Sequence, residues 1–559
     1  MPKVRPLVVA FFTISFVSIL FVALTGAQRS VALDTYAITN ARIVTVSGPT
    51  IDRGTVVVRN GLIGAVGANV AAPPDARVID GTGLTVYPGL IDSYTNLALP
   101  EPAPAPSPGG GGGGGGGGFA AQARPSPGGP NSTQPPGLQP EVMVEDVIRP
   151  GGAELESSRN AGITTALATP RTGIWMGQSA LINLAGDSPQ EMIVRSPVAM
   201  HVGFTPLRGT YPGSLLGVFA TLRQMMLDAQ RYRDSMQMYE RSPRGMRRPE
   251  VDRSLAALVP VIEGRMPVVM LANSEREITR ALDLANEFKL RLIIAGGRES
   301  DRVADRLAKQ NVPVLLSLNL PRRTTAALPE ADPEPMRVLR ERVAAQETAG
   351  KLVKAGVRFA FESGSLGNIS DLLVNAGRVI ENGLAATDAL KAFTLWPATI
   401  FGVENQLGSV ETGKIANLTI TRGELFDRNT RVVQMFIDGR PVDLRPVPGG
   451  GGGGTRNTLN GTWNLTVNLG QGEKNATLNL QQEGERVTGS ISGPLGAGEI
   501  ANASTTAAGE VKFTVPVEIE GQTKEATFTG TVSGEQMHGT VNVVGMSPGS
   551  FSGSRARPN

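Results

Sequence analysis

The chain has no cysteine and only two histidines, His201 and His538, in 559 residues. Without a thiol there is no disulfide, no thiolate zinc site and no cysteine nucleophile. Imidazole is the commonest metal ligand and general base, so two histidines leave little from which to build a histidine metal centre. An excess of one charge is also missing. Lys and Arg number 53 against 50 Asp and Glu, a net +3 that shrinks further without Lys3 and Arg5 of the N-terminus. Such a balance gives no argument for nucleic acid as a partner. One long apolar run is present, from Leu7 to Ala27. Lys3 and Arg5 precede it and the small residues Thr25-Gly26-Ala27 end it, which is the pattern of a secretory signal. The run is also long enough to remain as a single membrane anchor. Residues 1–27 are read as one or the other. Both readings place the rest of the chain outside the cytoplasm, periplasmic or secreted.

Glycine and proline are abundant, at 69 and 40 residues, and they cluster. Residues 100–137 are Pro- and Gly-rich and contain ten consecutive glycines, Gly109 to Gly118. A second such run, within 446–458, reads as a linker. Neither can bury enough apolar surface to offset the entropy of ordering, so both are expected to be disordered. Before the first run the pattern is strand and turn, with hairpin signals at Asn60-Gly61 and Asp80-Gly81. From about Glu154 to Leu395 helices and apolar, β-branched strands alternate. Ser274-x-x-Glu277 is a capping box opening one of the helices. Such alternation argues a parallel sheet closed into a barrel over 88–398. Strands return in GKIANLTITRG and VVQMFIDGRPVD. Residues 459–555 alternate at period two with Gly-punctuated turns, the pattern of a small antiparallel β-barrel or sandwich. The segment RYRDSMQMYERSPRGMRRPEVDR holds seven arginines; it reads as a solvated helix and linker, or as a patch for a partner or an anionic surface.

Three stretches resemble the metal-dependent amidohydrolase superfamily, and its imidazolonepropionase-like branch in particular. They are VIDGTGLTVYPGLID, then GVRFAFESGS with NGLAATDALKAFTLWPATIFGV, then LGSVETGKIANLTI with VVQMFIDGRPV. The resemblance spans about residues 36–445. It implies an α/β architecture: a TIM-like (β/α)8 barrel over 88–398 beside a composite β-sandwich of 36–87 and 400–445. The 459–555 domain lies outside it. The family's site uses zinc or another divalent metal held by His-x-His after the first strand, a Lys or Glu midway, two further histidines and an Asp after the eighth strand. That metal lowers the pKa of bound water and polarises the scissile carbonyl of a non-peptide C–N bond.

Carried onto this chain, the His-x-His positions fall on Tyr94 and Asn96, the fifth-strand His on Leu271 and the terminal Asp on Gly364, next to Glu362 and Ser363. LIIAGGRES has no histidine for the sixth strand, and Asn417 stands where the family usually has Asp. No metal ligand and no cofactor is therefore expected, and no catalytic residue is assigned. The candidate residues for the barrel mouth are Asp92, Tyr94, Asn96, Gln178, His201, Asn273, Glu299 and Glu362. A carboxylate-only site from Asp92, Glu299 and Glu362 is conceivable for a hard cation, but nothing in their spacing is diagnostic, and they are read as helix-start and surface carboxylates. His201, in an apolar strand, reads as a packed residue; His538 is given no role. Three functions follow: a non-catalytic protein binding a small ligand or protein partner, a hydrolase with a carboxylate or metal-free site, or a structural subunit paired with an active amidohydrolase.

Overall fold

The structure is a computed structural model. It describes residues 35–556 except 101–133, 208, 322–334, 365, 428–429, 445–458, 469–472, 484–485, 495, 506–509, 520–521, 534–535 and 544–548. The expected signal or anchor, the linker and most of the Gly-rich insertion lie outside the described residues. The chain divides into two compact units at Leu444/Arg445.

The first unit begins with five strands: β1 (Tyr36–Ile43), β2 (Ile51–Arg59), β3 (Leu62–Gly67), β4 (Arg77–Asp80) and β5 (Thr85–Pro88). Three later strands join them, β16 (Leu418–Arg422), β17 (Arg431–Ile437) and β18 (Arg440–Val442). All eight form one sheet, ordered β18-β17-β16-β5-β1-β2-β3 with β4 against β1. The join is antiparallel, with Thr85 opposite Thr421 and Pro88 opposite Leu418. Alternating Ile38, Ile43, Val56, Val58, Ile420 and Phe436 bury a common apolar face. Without the join, each strand set would present an unpaired edge.

Between these sets stands the barrel. Its staves are β6 (Leu90–Thr95), β7 (Ile163–Ala168), β8 with β9 (Trp175–Gln178, Ala180–Asn183), β10 with β11 (Ile193–Arg195, Met200–Val202), β12 (Val268–Ala272), β13 (Leu292–Gly296), β14 (Val314–Ser317) and β15 (Phe359–Glu362). β6 and β7 are parallel, and β11 to β15 form an unbroken parallel run. The third stave departs from the expected alternation. β9 pairs antiparallel with β7, and β8 pairs antiparallel with β11. Ser179 carries the ladder across the one-residue break: its amide donates to Ala199 O at 3.0 Å and its carbonyl accepts Val198 N at 2.9 Å. The reason lies in the connection. Six residues separate Ala168 from Trp175, too few for the crossover a parallel neighbour needs, so the chain turns straight back. Ile91, Leu167, Leu181, Val269, Ile293 and Leu315 fill the barrel interior. The helix Glu275–Phe288 opens on the expected capping box of Ser274 and Glu277.

The last residues of 100–137 make defined contacts that the composition did not imply. Gln134–Gly137 are described; Leu138 N donates to Pro135 O, and Gly137 O accepts the amides of Ile174 and Trp175 at 2.8 and 3.1 Å. This tail of the insertion supplies acceptors beside β8 that its composition does not reveal.

The second unit is one antiparallel sheet of nine strands: β19 (Gly461–Asn468), β20 (Glu473–Glu483), β21 (Arg486–Gly493), β22 (Gly496–Glu499), β23 (Ala501–Thr505), β24 (Glu510–Ile519), β25 (Gln522–Ser533), β26 (Gln536–Val543) and β27 (Gly549–Arg555). The order is β20-β19-β27-β26-β25-β24-β23-β21-β22, and β20 also pairs with β21, so the sheet curls into a barrel in which β22 and β23 together form one stave between β21 and β24. Trp463, Phe513, Phe528 and Phe551 fill it, with Phe513 and Phe528 stacked at 5.0 Å. His538 is exposed on β26, 3.3 Å from the Thr531 hydroxyl.

Asn417 welds the first unit together. Its side-chain nitrogen donates to Thr165 Oγ1 (2.9 Å) and Asn183 Oδ1 (2.7 Å), and its side-chain oxygen accepts Asp438 N (2.7 Å). One buried amide thus ties two barrel staves to the β17–β18 turn. Asn417→Ala strands the Asp438 amide and is expected to lower unfolding free energy by about 1–3 kcal/mol, read by denaturant titration. A change within error would show that the network contributes no net stability.

Candidate functional site

β6 carries YPGLIDSYTN from the sheet into the barrel, and its C-terminal half meets the end of β15. The two strands lie side by side, yet among the described residues no backbone ladder joins them. Asp92 makes the connection instead. It is fully buried, and it accepts the Ser363 amide at 3.0 Å, the Ser363 hydroxyl, and the Tyr94 amide at 3.4 Å. Glu362, also buried, accepts the Gly364 amide at 2.5 Å and the Ser317 hydroxyl from β14. Tyr94 leans its ring on His201, centroids 5.7 Å apart, and its hydroxyl meets Thr169. His201 is 1% exposed on β11, and neither ring nitrogen has a hydrogen-bond partner among the described residues. Asp92, Tyr94, Glu362 and His201 therefore form one group.

The other candidates have local partners. With the Asn96 amide oriented by its hydrogen bonds, its oxygen accepts from Arg171 at 3.1 Å. Gln178 donates to Pro140 O at 3.1 Å, holding the strip beside β8. The Asn273 amide donates to Glu277 at the capping box. Glu299 accepts the Glu275 amide at 2.8 Å and pairs with Arg302 at 3.3 Å, a carboxylate at a helix start. Leu271 packs into the barrel's apolar interior. Ser363, Ser317 and Thr169 complete the group and Arg171 holds Asn96; sequence reasoning assigned none of these four. Ser363 was visible beside Glu362, but its role depends on where β15 ends.

Burial of these side chains sets the direction of each pKa shift. Burial raises Glu362 to about 8; the Ser317 hydroxyl opposes the shift and the Asp92 charge adds to it. Burial raises Asp92 to about 6 against its three hydrogen bonds. Burial alone lowers His201 to about 3. Burial also raises Tyr94 to about 12, with Glu362 contributing. At neutral pH the group thus holds an ionised Asp92, a protonated Glu362, a neutral imidazole and a neutral phenol.

The donor set does not fit the metal the resemblance implies. Zinc takes three or four deprotonated donors aimed at one point. Among the described residues no three His, Asp or Glu side chains come together for a metal ion. At Gly364 a Cβ would lie 2.8 Å from Glu362 Oε2 and 2.9 Å from Tyr94 Cδ1, so the volume an Asp side chain would need is filled.

Glu362 binds its proton more tightly folded, at about 8, than at its ordinary 4.5. Its stabilising contribution is complete below the ordinary value and is lost as pH rises through 8. His201 slopes the other way, but only between about 3 and 6.5. Tm should therefore fall from pH 6.5 toward 8, and Glu362→Gln should flatten that slope; an equal slope in the variant would contradict the assignment. Asp92→Ala should cost about 2–3 kcal/mol and speed exchange of the Ser363 amide, read by hydrogen–deuterium exchange.

The amidohydrolase family model matches residues 158–442. The crystal structure of an amidohydrolase from Thermotoga maritima MSB8 superposes with a TM-score of 0.62 at 25% identity, covering 73% of this chain and 100% of that one. A prolidase complexed with N-methylphosphonate-L-proline matches at 16% identity over 73% and 99% of the two chains, TM-score 0.43. A Xaa-Pro dipeptidase with methionine bound in its active site matches at 13% over 73% and 100%, TM-score 0.42. No curated protein sequence matches the chain. The matched residues run from the helix before β7 through every later stave to the returning strands of the sheet, and on that span the chain belongs to the amidohydrolase family.

Proposed function

We propose that this amidohydrolase-family chain is a non-catalytic binding or partner protein acting outside the cytoplasm, with no resident metal. The observation that supports this most directly is the packing around Gly364. Tyr94, standing at a first-strand ligand position, turns its ring toward the place where the family's terminal carboxylate would rise, and Glu362 closes the same space. A phenol and an amide at neutral pH are weak ligands. The isobutyl group of Leu271 and the bare Gly364 are none, so nothing offsets the cost of stripping water from an ion.

A second reading rests on a different observation. Asp92 and Glu362 are buried together with opposite protonation at neutral pH, which is the split a general acid–base pair uses. A carboxylate-based hydrolase of C–N bonds would draw on that pair. Against it, both Asp92 oxygens already accept hydrogen bonds from Ser363. A structural subunit of an active amidohydrolase is the third reading, and co-purification separates it from the first.

Purified protein should hold no stoichiometric zinc, manganese or iron by elemental analysis and should hydrolyse neither amides nor cyclic amides. Tyr94→His with Asn96→His should restore neither, because Leu271 and Gly364 remain. About one metal per chain, removable by chelator with loss of a measured hydrolysis, would overturn the proposal. Metal-free hydrolysis abolished by Glu362→Gln would promote the carboxylate reading.

A further inference from the structure

The longest helix, Leu215–Arg241, has 27 residues, about 40 Å at 1.5 Å per residue. Its buried residues are Val218, Thr221, Leu222, Met225, Met226 and Ala229. None lies in the last twelve positions, so nearly half the helix has no fully buried side chain. The opposite face is regular. Leu216, Leu227 and Met238 are 83%, 51% and 58% exposed. They are spaced by eleven residues, just over three full turns, and so fall close to one line along the outer surface. Arg231 and Arg241 flank that line. The chain leaving the helix adds exposed Arg244, Met246, Arg247, Arg248 and Val251.

The apolar half of this composition is unusual for the molecule. Residues 211–251 hold seven of the fifteen exposed large hydrophobic side chains among the described residues. Arg231, Arg241, Arg244 and Arg248 have no ion-pair partner among the described residues. Arg223, by contrast, is held by Glu287 at 2.8 Å, and Arg247 reaches Glu250 only at 3.8 Å.

We infer that this face rests on an anionic lipid surface. A groove in a partner protein reads a continuous stripe at i, i+3, i+4 and i+7. Here one apolar side chain appears every three turns; Arg231, and Asp234 bonded to Arg233, lie between Leu227 and Met238, and Arg241 follows. That suits a flat, fluid surface into which single side chains dip while guanidinium groups stay at headgroup level. The unpaired positive charge complements acidic headgroups. The apolar run Leu7–Ala27 brings the chain to a bilayer whether it is cleaved or retained. This inference is independent of whether the barrel is catalytic.

The absence of cysteine makes the test direct. Met238→Cys gives the full chain a single thiol for an environment-sensitive fluorophore. Ser157→Cys, on an exposed helix position elsewhere on the barrel, gives the control. Vesicles of phosphatidylcholine with phosphatidylglycerol should raise and blue-shift the signal several-fold at 238 and leave 157 unchanged. Phosphatidylcholine alone should do neither, and high salt should reverse the effect. Arg231→Gln with Arg241→Gln should weaken vesicle affinity about 25-fold, about fivefold per charge removed. Equal signals at 238 and 157, or no dependence on lipid charge, would overturn the inference. The same shift from polyglutamate without lipid would also overturn it, in favour of an acidic protein partner.

Discussion

The barrel closes on a side chain. Its first and last staves meet without a backbone ladder among the described residues, and the Asp92 carboxylate takes both donors of Ser363 in place of one. Much of the mouth follows from that single acceptor. Asp92 also receives the Tyr94 amide, which fixes the turn of β6 and sets the phenol ring against His201. With the ring there, position 364 tolerates no Cβ, and Glu362 curls back onto the Gly364 amide. In a metal-dependent relative, ligands from the first and last strands share an ion, and the ion draws those strands together. Here a carboxylate–serine pair occupies the same seam.

The electrostatics follow from the same arrangement. A bound cation would compensate several buried anions and reverse the local pKa logic. Burial of the side chains themselves favours their least charged forms. Glu362 keeps its proton, His201 gives its up, and only Asp92, with three donors, is ionised at neutral pH. Among the described residues, the two nitrogens of His201 and the Ser93 hydroxyl beside Asp92 are buried without a hydrogen-bond partner.

Much of the architecture was legible because it is written in periodicity and punctuation. The strand sets at both ends, the capping box at Ser274 and the Gly-turned second unit all announce themselves within a few residues. The antiparallel third stave did not, because apolar β-branched runs look alike in either direction; only the six-residue connection after Ala168 distinguishes them. At the mouth, the residue types at Tyr94, Asn96, Leu271 and Gly364 could be read directly. What those residues do could not. Ser363 acts through a seam between strands some 270 positions apart. Gln178 and Glu299 were drawn off by the Pro140 carbonyl and a helix amide, partners that sequence alone does not bring near. Asn417 gave no sign that it would bind three elements at once.

The eight-stranded sheet has a temporal side as well. Thr85 on β5 faces Thr421 on β16, about 330 residues later in the chain. Strands β1 to β5 therefore leave the ribosome, and enter any export channel, long before the edge that completes them exists. Contacts of such long sequence separation form slowly, because loop closure must precede the pairing that rewards it. Until the whole barrel has been made, the β5 edge stands open to any extended chain it meets. The join that protects the finished fold is thus also the last part of it to arrive, and a nascent chain of this design depends on being shielded while it waits.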